Sequence, residues 1–124
     1  MIEIIDGLTL KNMFIAAAVA IDSFKEEINE LNVFPVPDGD TGSNMSMTIG
    51  NAMVELQKNE PFGVSATADI AAGALLRGAR GNSGVILSLL FRGFARSVKE
   101  KKQINASELA EAFREGVSTA YKAV

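Results

Sequence analysis

Two carboxylates stand two residues apart in the segment NVFPVPDGDTGSNM, which covers residues 32–45. In an extended Asp-Gly-Asp, both acidic side chains leave the backbone on the same side, because side chains alternate along an extended chain. Magnesium commonly binds one or two carboxylates and fills its other positions with water and substrate phosphates. Pro35 and Pro37 restrict this loop, so less entropy is lost when a site assembles there. The segment therefore predicts that Asp38 and Asp40 bind magnesium.

Hydroxyl, amide and glycine residues follow these carboxylates at a predicted helix start. The first N–H groups of a helix lack partners within the helix and lie at the positive end of its dipole, which favours phosphate. We therefore expect phosphate contacts from Thr41, Gly42, Ser43 and Asn44. The same residue types are ordinary in turns and helix caps, so a purely structural turn stays open at this point. An EF-hand is excluded because its closing glutamate is replaced by Ile49.

A second glycine-rich segment, RGARGNSG at residues 77–84, precedes another apolar helix. It is not a Walker A loop, because no Lys-Ser or Lys-Thr pair follows and no buried strand precedes it. Alone, it is compatible with a helix–helix turn. Together, the two segments favour a single nucleotide-phosphate site, in which each segment forms one wall and the metal lies between them. The candidate residues here are Arg80, Asn82, Ser83 and Gly84. Arg80 either neutralises phosphate charge or is a surface residue that caps the third helix.

The composition narrows the possible chemistry. The chain has 124 residues, no cysteine and no histidine, which excludes disulfides, thiolate or imidazole zinc sites and a histidine-based triad within it. Hard cations on oxygen ligands remain. The net charge of −3 provides no general attraction for nucleic acid. The apolar run at residues 85–94 is too short to span a bilayer, and the acidic N-terminus is not a signal peptide, so we expect a cytoplasmic protein without a membrane span.

Apolar periodicity predicts an all-α chain of about five helices. The first helix has an apolar stripe from Leu10 to Leu31, with Thr9 as its N-cap. It is expected to end near Leu31, because Pro35 and Pro37 force the residues before them into an extended conformation. The second begins at 41–43 and ends at 59–61. The third begins near Ser65, with an inner face of Ala66, Ile70, Gly73 and Ala74. The fourth begins in the second glycine-rich segment, and its almost wholly apolar first half predicts the most buried helix.

The fifth helix is predicted to start at Asn105, which forms a capping-box pattern with Glu108. Its predicted inner stripe consists of Leu109, Phe113, Val117, Ala120 and Val124. No terminating residue interrupts the helical pattern at the end of the sequence, so we expect a chain that was cut short or that continues in a parent protein. Helices with unpartnered apolar faces also predict self-association, such as a homodimer, or limited stability.

The two glycine-rich segments resemble the nucleotide-binding domain of the dihydroxyacetone kinase family, the DhaL-like or Dak phosphatase-like domain. The form NVFPVPDGDTGSNM is most similar to the fatty acid kinase branch of that family. The resemblance covers residues 1–124 as the N-terminal portion of the domain. It implies an antiparallel helical barrel, incomplete here, with ATP and two Mg²⁺ ions at one end. It also implies that Asp38 and Asp40 are catalytic metal ligands, and that both segments contact the phosphates.

The implied reaction is transfer of the ATP γ-phosphoryl group. The acceptor would be dihydroxyacetone on a separate binding subunit, or a fatty acid held by a partner protein, with the fatty acid favoured. A non-catalytic nucleotide-binding or interaction role is the alternative, and this chain alone is expected to be inactive. A phosphatase is a weaker reading because no nucleophile is evident.

Overall fold

A computed structural model describes residues 3–31 and 39–123 of the chain. The described residues form five α-helices, which confirms the predicted all-α class. The helices are α1 Gly7–Leu31, α2 Thr41–Lys58, α3 Gly63–Gly78, α4 Gly81–Ser97 and α5 Ala106–Ala123. The predicted start of α2 and its end before Pro61 are both confirmed.

Consecutive helices run antiparallel. At one end of the α1–α2 pair, the Lys11 ammonium donates to the Asn59 carbonyl oxygen at 3.2 Å; at the other end, Asn29 contacts Ser43. The start of α3 is joined to the segment after α4, where the Val64 N–H donates to the Lys102 carbonyl oxygen at 3.0 Å. One end of the bundle therefore gathers the end of α1 and the starts of α2 and α4.

Aromatic rings join α1, α4 and α5. The rings of Phe14 and Phe91 have centroids 5.0 Å apart, and those of Phe94 and Phe113 are 5.1 Å apart in an edge-to-face arrangement. Phe94 is fully buried. Such tilted arrangements suit the quadrupoles of aromatic rings and add to the burial of their surfaces. This cluster stabilises the side of the bundle formed by α1, α4 and α5.

Two helix starts show how well capping can be predicted. At α5, the Glu108 N–H donates to Asn105 Oδ1 at 2.8 Å and the Asn105 N–H donates to Glu108 Oε1 at 3.0 Å, so the capping box is confirmed. At α1, the prediction of Thr9 as N-cap is wrong. Asp6 takes that role, because its Oδ1 accepts from the Thr9 N–H at 2.8 Å and the helix begins at Gly7.

The predicted inner face of α3 is also wrong in part. Of the predicted set only Ala74 is buried; the buried residues of α3 are Val64, Thr67, Ala68, Ala71, Ala74 and Leu75. The helix starts earlier than expected, at Gly63, and packs against α1, α2 and α4 at once. A helix with three neighbours buries a broader face than one apolar stripe, so alanines and a threonine enter the core.

The first half of α4 is not the most buried part of the bundle. Val85 and Ile86 are 47% and 45% exposed, whereas the buried positions are Gly84, Ser88, Gly93, Phe94 and Ala95. Apolar residues all round a helix predict burial only if neighbours cover every side. The described helices leave Val85 and Ile86 about half exposed, so that side of α4 is covered only in part.

Small residues decide which side of α5 faces α4. A Cβ on Gly93 would lie 2.9 Å from the Glu115 carbonyl carbon, and a Cβ on Gly116 would meet the Leu90 backbone. This close approach turns Ala112, Gly116 and Ala120 inward, and leaves Phe113 and Val117 42% and 44% exposed. The predicted stripe on α5 is correct for Ala120, which is buried, and for Leu109 and Phe113, which are partly exposed but pack against core residues. It is wrong for Val117, and Val124 lies outside the described residues.

One helix within residues 3–31 and 39–123, α1, is long and apolar enough to cross a membrane by length and composition. The prediction of no membrane span rested on residues 85–94 and did not consider this helix. Core helices of soluble proteins share this length and composition. In α1 the residues Leu10, Phe14 and Ala18 are buried in the bundle core.

Candidate functional site

Asp40 occupies the N-cap position of α2, and its carbonyl oxygen accepts from the Asn44 N–H at 2.9 Å. The residue is exposed at the end of the bundle that also holds the start of α4. Asp38, with the rest of residues 32–38, lies outside the described part of the chain. The structure therefore places one of the two predicted metal ligands, and the pairing of the two carboxylates stays a prediction.

The polar groups of Ser43 are held by α1. Its backbone N–H donates to Asn29 Oδ1 at 3.0 Å, and Asn29 Nδ2 donates to Ser43 Oγ at 3.0 Å. An N-cap side chain normally accepts from this third N–H of a helix, so Asn29 does from α1 what a cap residue would do locally. One of the N–H groups expected to be free at this helix start, that of Ser43, is therefore already bonded to Asn29. The predicted phosphate contact of Ser43 stays a prediction.

Gly42 is buried at the contact between α1 and α2. A Cβ there would meet the Lys25 backbone, with the Lys25 carbonyl carbon at 2.8 Å. A glycine is thus required for the close approach of two helices at this point. The structure gives Gly42 a packing role, and its predicted contact with phosphate stays untested.

The second segment reaches the first through Asn44 and Gly81. A Cβ on Gly81 would lie 2.9 Å from Asn44 Cγ, so the two residues are in close contact. Gly81 also has a φ of 68°, a left-handed conformation that favours glycine. The two glycine-rich segments, 37 positions apart at these residues, therefore meet at one end of the bundle, as the idea of two walls requires.

The start of α4 differs from the start of α2. Arg80 is the N-cap residue, and its side chain makes no capping hydrogen bond with the described residues. Asn82 is exposed, Ser83 is half-buried and Gly84 is buried. Uncapped N–H groups beside exposed amide and hydroxyl side chains suit an anion. The α4 start is therefore better suited to receive phosphate than the Ser43 N–H of α2.

Thr48 was not singled out from the sequence, and it joins the two segments. Its Oγ1 donates to the Asn44 carbonyl oxygen at 2.7 Å and accepts from the Arg80 N–H at 3.0 Å. Its side chain is fully buried, and a Cβ on Gly84 would meet Thr48 Oγ1. The available signal was its spacing: Asn44, Thr48 and Asn51 share one face of α2.

The described residues carry only part of a metal site. No group of three acidic, histidine or cysteine side chains lies close enough to hold a metal ion within residues 3–31 and 39–123. Magnesium does not need such a cluster, since one or two carboxylates with phosphate oxygens and water are sufficient. Asp40, at the same end of the bundle as the start of α4, fits that pattern, with the predicted second carboxylate at Asp38.

An apolar groove of about 340 Å³ lies between α4 and α5. It is lined by Ile86, Leu90, Val117, Ala120 and Tyr121. Ile86 is only three residues beyond Ser83, so the groove opens near the start of α4. A polar candidate site and an exposed apolar surface thus occupy the same end of the bundle.

Comparison with known proteins gives a family for this arrangement. The model of the DAK2 domain matches residues 35–124, which include both glycine-rich segments. The chain belongs to the DAK2 domain family. This confirms the predicted resemblance to DhaL-like domains, and it places the chain among kinase-related nucleotide-binding domains.

Curated relatives are similar to this chain over its full length. The chain is 45% identical over 124 residues to an uncharacterized protein of Staphylococcus epidermidis, and 45% identical over 123 residues to Protein YloV of Bacillus subtilis. An uncharacterized protein of Staphylococcus haemolyticus is 45% identical over 124 residues. The matches cover 99–100% of this chain and 22% of each relative, so the chain spans about a fifth of the length of these proteins.

Proposed function

We propose that this chain is the Mg-ATP-binding part of a kinase that transfers the ATP γ-phosphoryl group. The observation that carries the proposal is the contact between Asn44 and Gly81, which brings the two glycine-rich segments of a DAK2 domain to one end of the bundle. Phosphoryl transfer depends mainly on positioning and charge neutralisation rather than on covalent chemistry by the protein. A rigid, polar meeting point of two helix starts suits that task.

The proposed roles follow from the site. Asp40, with Asp38, would hold Mg²⁺, and the ion would neutralise charge on the phosphates. The uncapped start of α4, with Asn82, Ser83 and Gly84, would receive phosphate oxygens. Thr41, Gly42, Ser43 and Asn44 would form the opposite wall. Arg80 is exposed beside both segments, where its guanidinium can reach an anion.

The proposal also covers the phosphoryl acceptor, the number of metal ions and the cellular location. We favour a fatty acid held by a partner protein, with a dihydroxyacetone-type acceptor on a separate subunit as the other option. The form of residues 32–45 supports the fatty acid branch. We also propose two Mg²⁺ ions, a cytoplasmic location and activity that requires more of the protein than these 124 residues.

A non-catalytic nucleotide-binding role is the second candidate. It needs only the two walls described above to bind Mg-nucleotide, whereas phosphoryl transfer also needs a bound acceptor. The two candidates share the binding site and differ in turnover. Release of ADP or a phosphorylated product in the presence of a partner would distinguish them.

Calorimetric titration of Mg-ATP and Mg-ADP into the chain tests the shared site. We expect binding that requires Mg²⁺ and that Asp40→Asn weakens at least about tenfold, because a charged ligand to the metal is lost. Asp69→Asn is the matched control: it removes an exposed carboxylate nine residues before the end of α3, and it should leave the affinity unchanged.

Equal weakening by both variants would indicate a general charge effect and count against the site. A folded chain that binds neither nucleotide would count against binding by these 124 residues. Repeating the titration on a longer version of the protein would then show whether further walls are needed.

A further inference from the structure

We propose that Thr48 is a positioning residue that locks the start of α4 to the start of α2, so that the two walls of the proposed nucleotide site move as one body. This inference rests on the proposed function for its consequence in binding. The coupling itself rests on the contacts of a side chain that lies inside the bundle, below the site, and that has no exposed surface with which to touch a ligand.

The Thr48 hydroxyl makes one bond to each wall. It donates to the Asn44 carbonyl oxygen within α2 at 2.7 Å, and it accepts from the Arg80 N–H, just before α4, at 3.0 Å. The Arg80 N–H precedes the helix, so no carbonyl of α4 is available to it. A hydroxyl that donates and accepts at the same time can serve both groups, and valine cannot serve either.

The neighbours of Thr48 on α2 contact the same segment. Asn44 packs against Gly81, and Asn51 Nδ2 donates to the Gly78 carbonyl oxygen at 3.2 Å. These residues are spaced at i, i+4 and i+7, so they form one polar ridge along α2. We call Asn44, Thr48 and Asn51 the α2 ridge. The ridge lies along the segment of residues 78–84.

The glycines opposite the ridge fit this role. A Cβ on Gly84 would meet Thr48 Oγ1, and a Cβ on Gly78 would meet the Asn51 side-chain amide. The segment therefore lies as close to the ridge as glycine allows. Such tight packing gives a small change at Thr48 a direct effect on the position of the α4 start.

The experiment uses Thr48→Val, which removes the hydroxyl, and Thr48→Ser, which keeps it. Thr67→Val is the matched control: Thr67 is equally buried, and its hydroxyl donates to the carbonyl oxygen four residues earlier, but it lies at the start of α3. Amide hydrogen exchange at Arg80 and calorimetric affinity for Mg-ATP are both measured. The Arg80 amide reports on the bond to Thr48 directly.

We expect Thr48→Val to speed exchange at the Arg80 amide about tenfold and to weaken Mg-ATP binding by a similar factor, the scale of one hydrogen bond. Thr48→Ser should keep the wild-type exchange rate and the wild-type Mg-ATP affinity, and Thr67→Val should change neither. If Thr48→Val does not fold, Thr48→Ala, which adds no group beside Gly84, is measured in the same two assays.

Unchanged exchange at Arg80 in Thr48→Val would overturn the coupling, whatever the nucleotide does. Faster exchange with unchanged Mg-ATP affinity would overturn the positioning role. A wild-type chain that binds no Mg-ATP would refute the proposed function for this chain, while the exchange at Arg80 would still decide whether Thr48 joins the two walls.

Discussion

Asn29, in the last turn of α1, holds both polar groups of Ser43, with its Oδ1 3.0 Å from the serine N and its Nδ2 3.0 Å from the serine Oγ. The helix that precedes residues 32–38 therefore also fixes the helix that follows them. The last turns of α1 and the first turn of α2 are thus joined to each other.

Asn29→Ala should lower the free energy of unfolding by about 1 kcal/mol, because the Ser43 N–H loses its acceptor. Asn29→Asp should retain most of that stability, since a carboxylate accepts from both groups of Ser43. The added negative charge should still weaken Mg-ATP binding. Urea unfolding and calorimetry give the two values.

Asn105→Ala is the control for Asn29→Ala. It removes the asparagine that caps α5, at the far end of the bundle from the site, and should cost a similar stability without affecting nucleotide. If the Asn29→Asp variant binds Mg-ATP as tightly as wild type, phosphate does not approach the Ser43 end of α2.

Gly42→Ala should destabilise the chain by about 1–3 kcal/mol, because its Cβ would collide with the Lys25 backbone. Gly50→Ala, in the same helix, is the matched control: nothing lies within 4 Å of its Cβ, and the change should stabilise by about 0.5–1 kcal/mol. Thermal or urea unfolding measures both. Similar effects of the two substitutions would show that α1 and α2 do not approach closely at Gly42.

Acid should weaken the start of α5. The ammonium of Lys101, 2.6 Å from Glu108 Oε2, lowers the pKa of Glu108, and the Asn105 N–H lowers it further. A carboxyl with a lowered pKa in the folded state contributes stability that is present above its unfolded value, near 4.5. That contribution is lost as the pH falls through the folded value.

Urea unfolding between pH 6 and pH 3 should therefore show a smaller loss of stability for Glu108→Gln than for wild type. Lys101→Met removes the main partner and leaves the cap, so it should raise the pKa of Glu108 toward its ordinary value. A carbon-detected NMR titration of the Glu108 carboxyl checks this directly. An unchanged pKa in Lys101→Met would mean that the ion pair does not form in solution.

The exposed apolar residues of α4 and α5 should make this chain self-associate. Ile86, Val117 and Tyr121 line one groove, and we expect the mass measured by light scattering to rise with concentration. Val117→Lys should suppress that rise, because it places a charge in the groove. Leu76→Lys changes an equally apolar, exposed residue on α3 and should have little effect. A monodisperse monomer at every concentration would contradict the expectation.

Local signals in the sequence determined the helices and much of the candidate site. The capping box of Asn105 and Glu108 and the start of α2 depend on residues within a few positions of each other, and the described structure confirms both. It also brings Asn44 and Gly81 of the two glycine-rich segments together. The family also follows from these segments. Asp38 and its pairing with Asp40 remain predictions, since Asp38 lies outside the described residues.

Only the tertiary structure decided which faces and groups meet. Periodicity placed Val117 on an inner stripe, but Gly93 and Gly116 allow α4 and α5 to approach so closely that the alanine side turns inward. The N–H groups at the start of α2 were expected to be free, but Asn29 reaches that of Ser43 from another helix. Thr48 likewise gains its role from Arg80, 32 residues away. Helical spacing fixes which residues share a face, whereas burial and hydrogen bonding across helices depend on how closely the neighbouring backbones can pack.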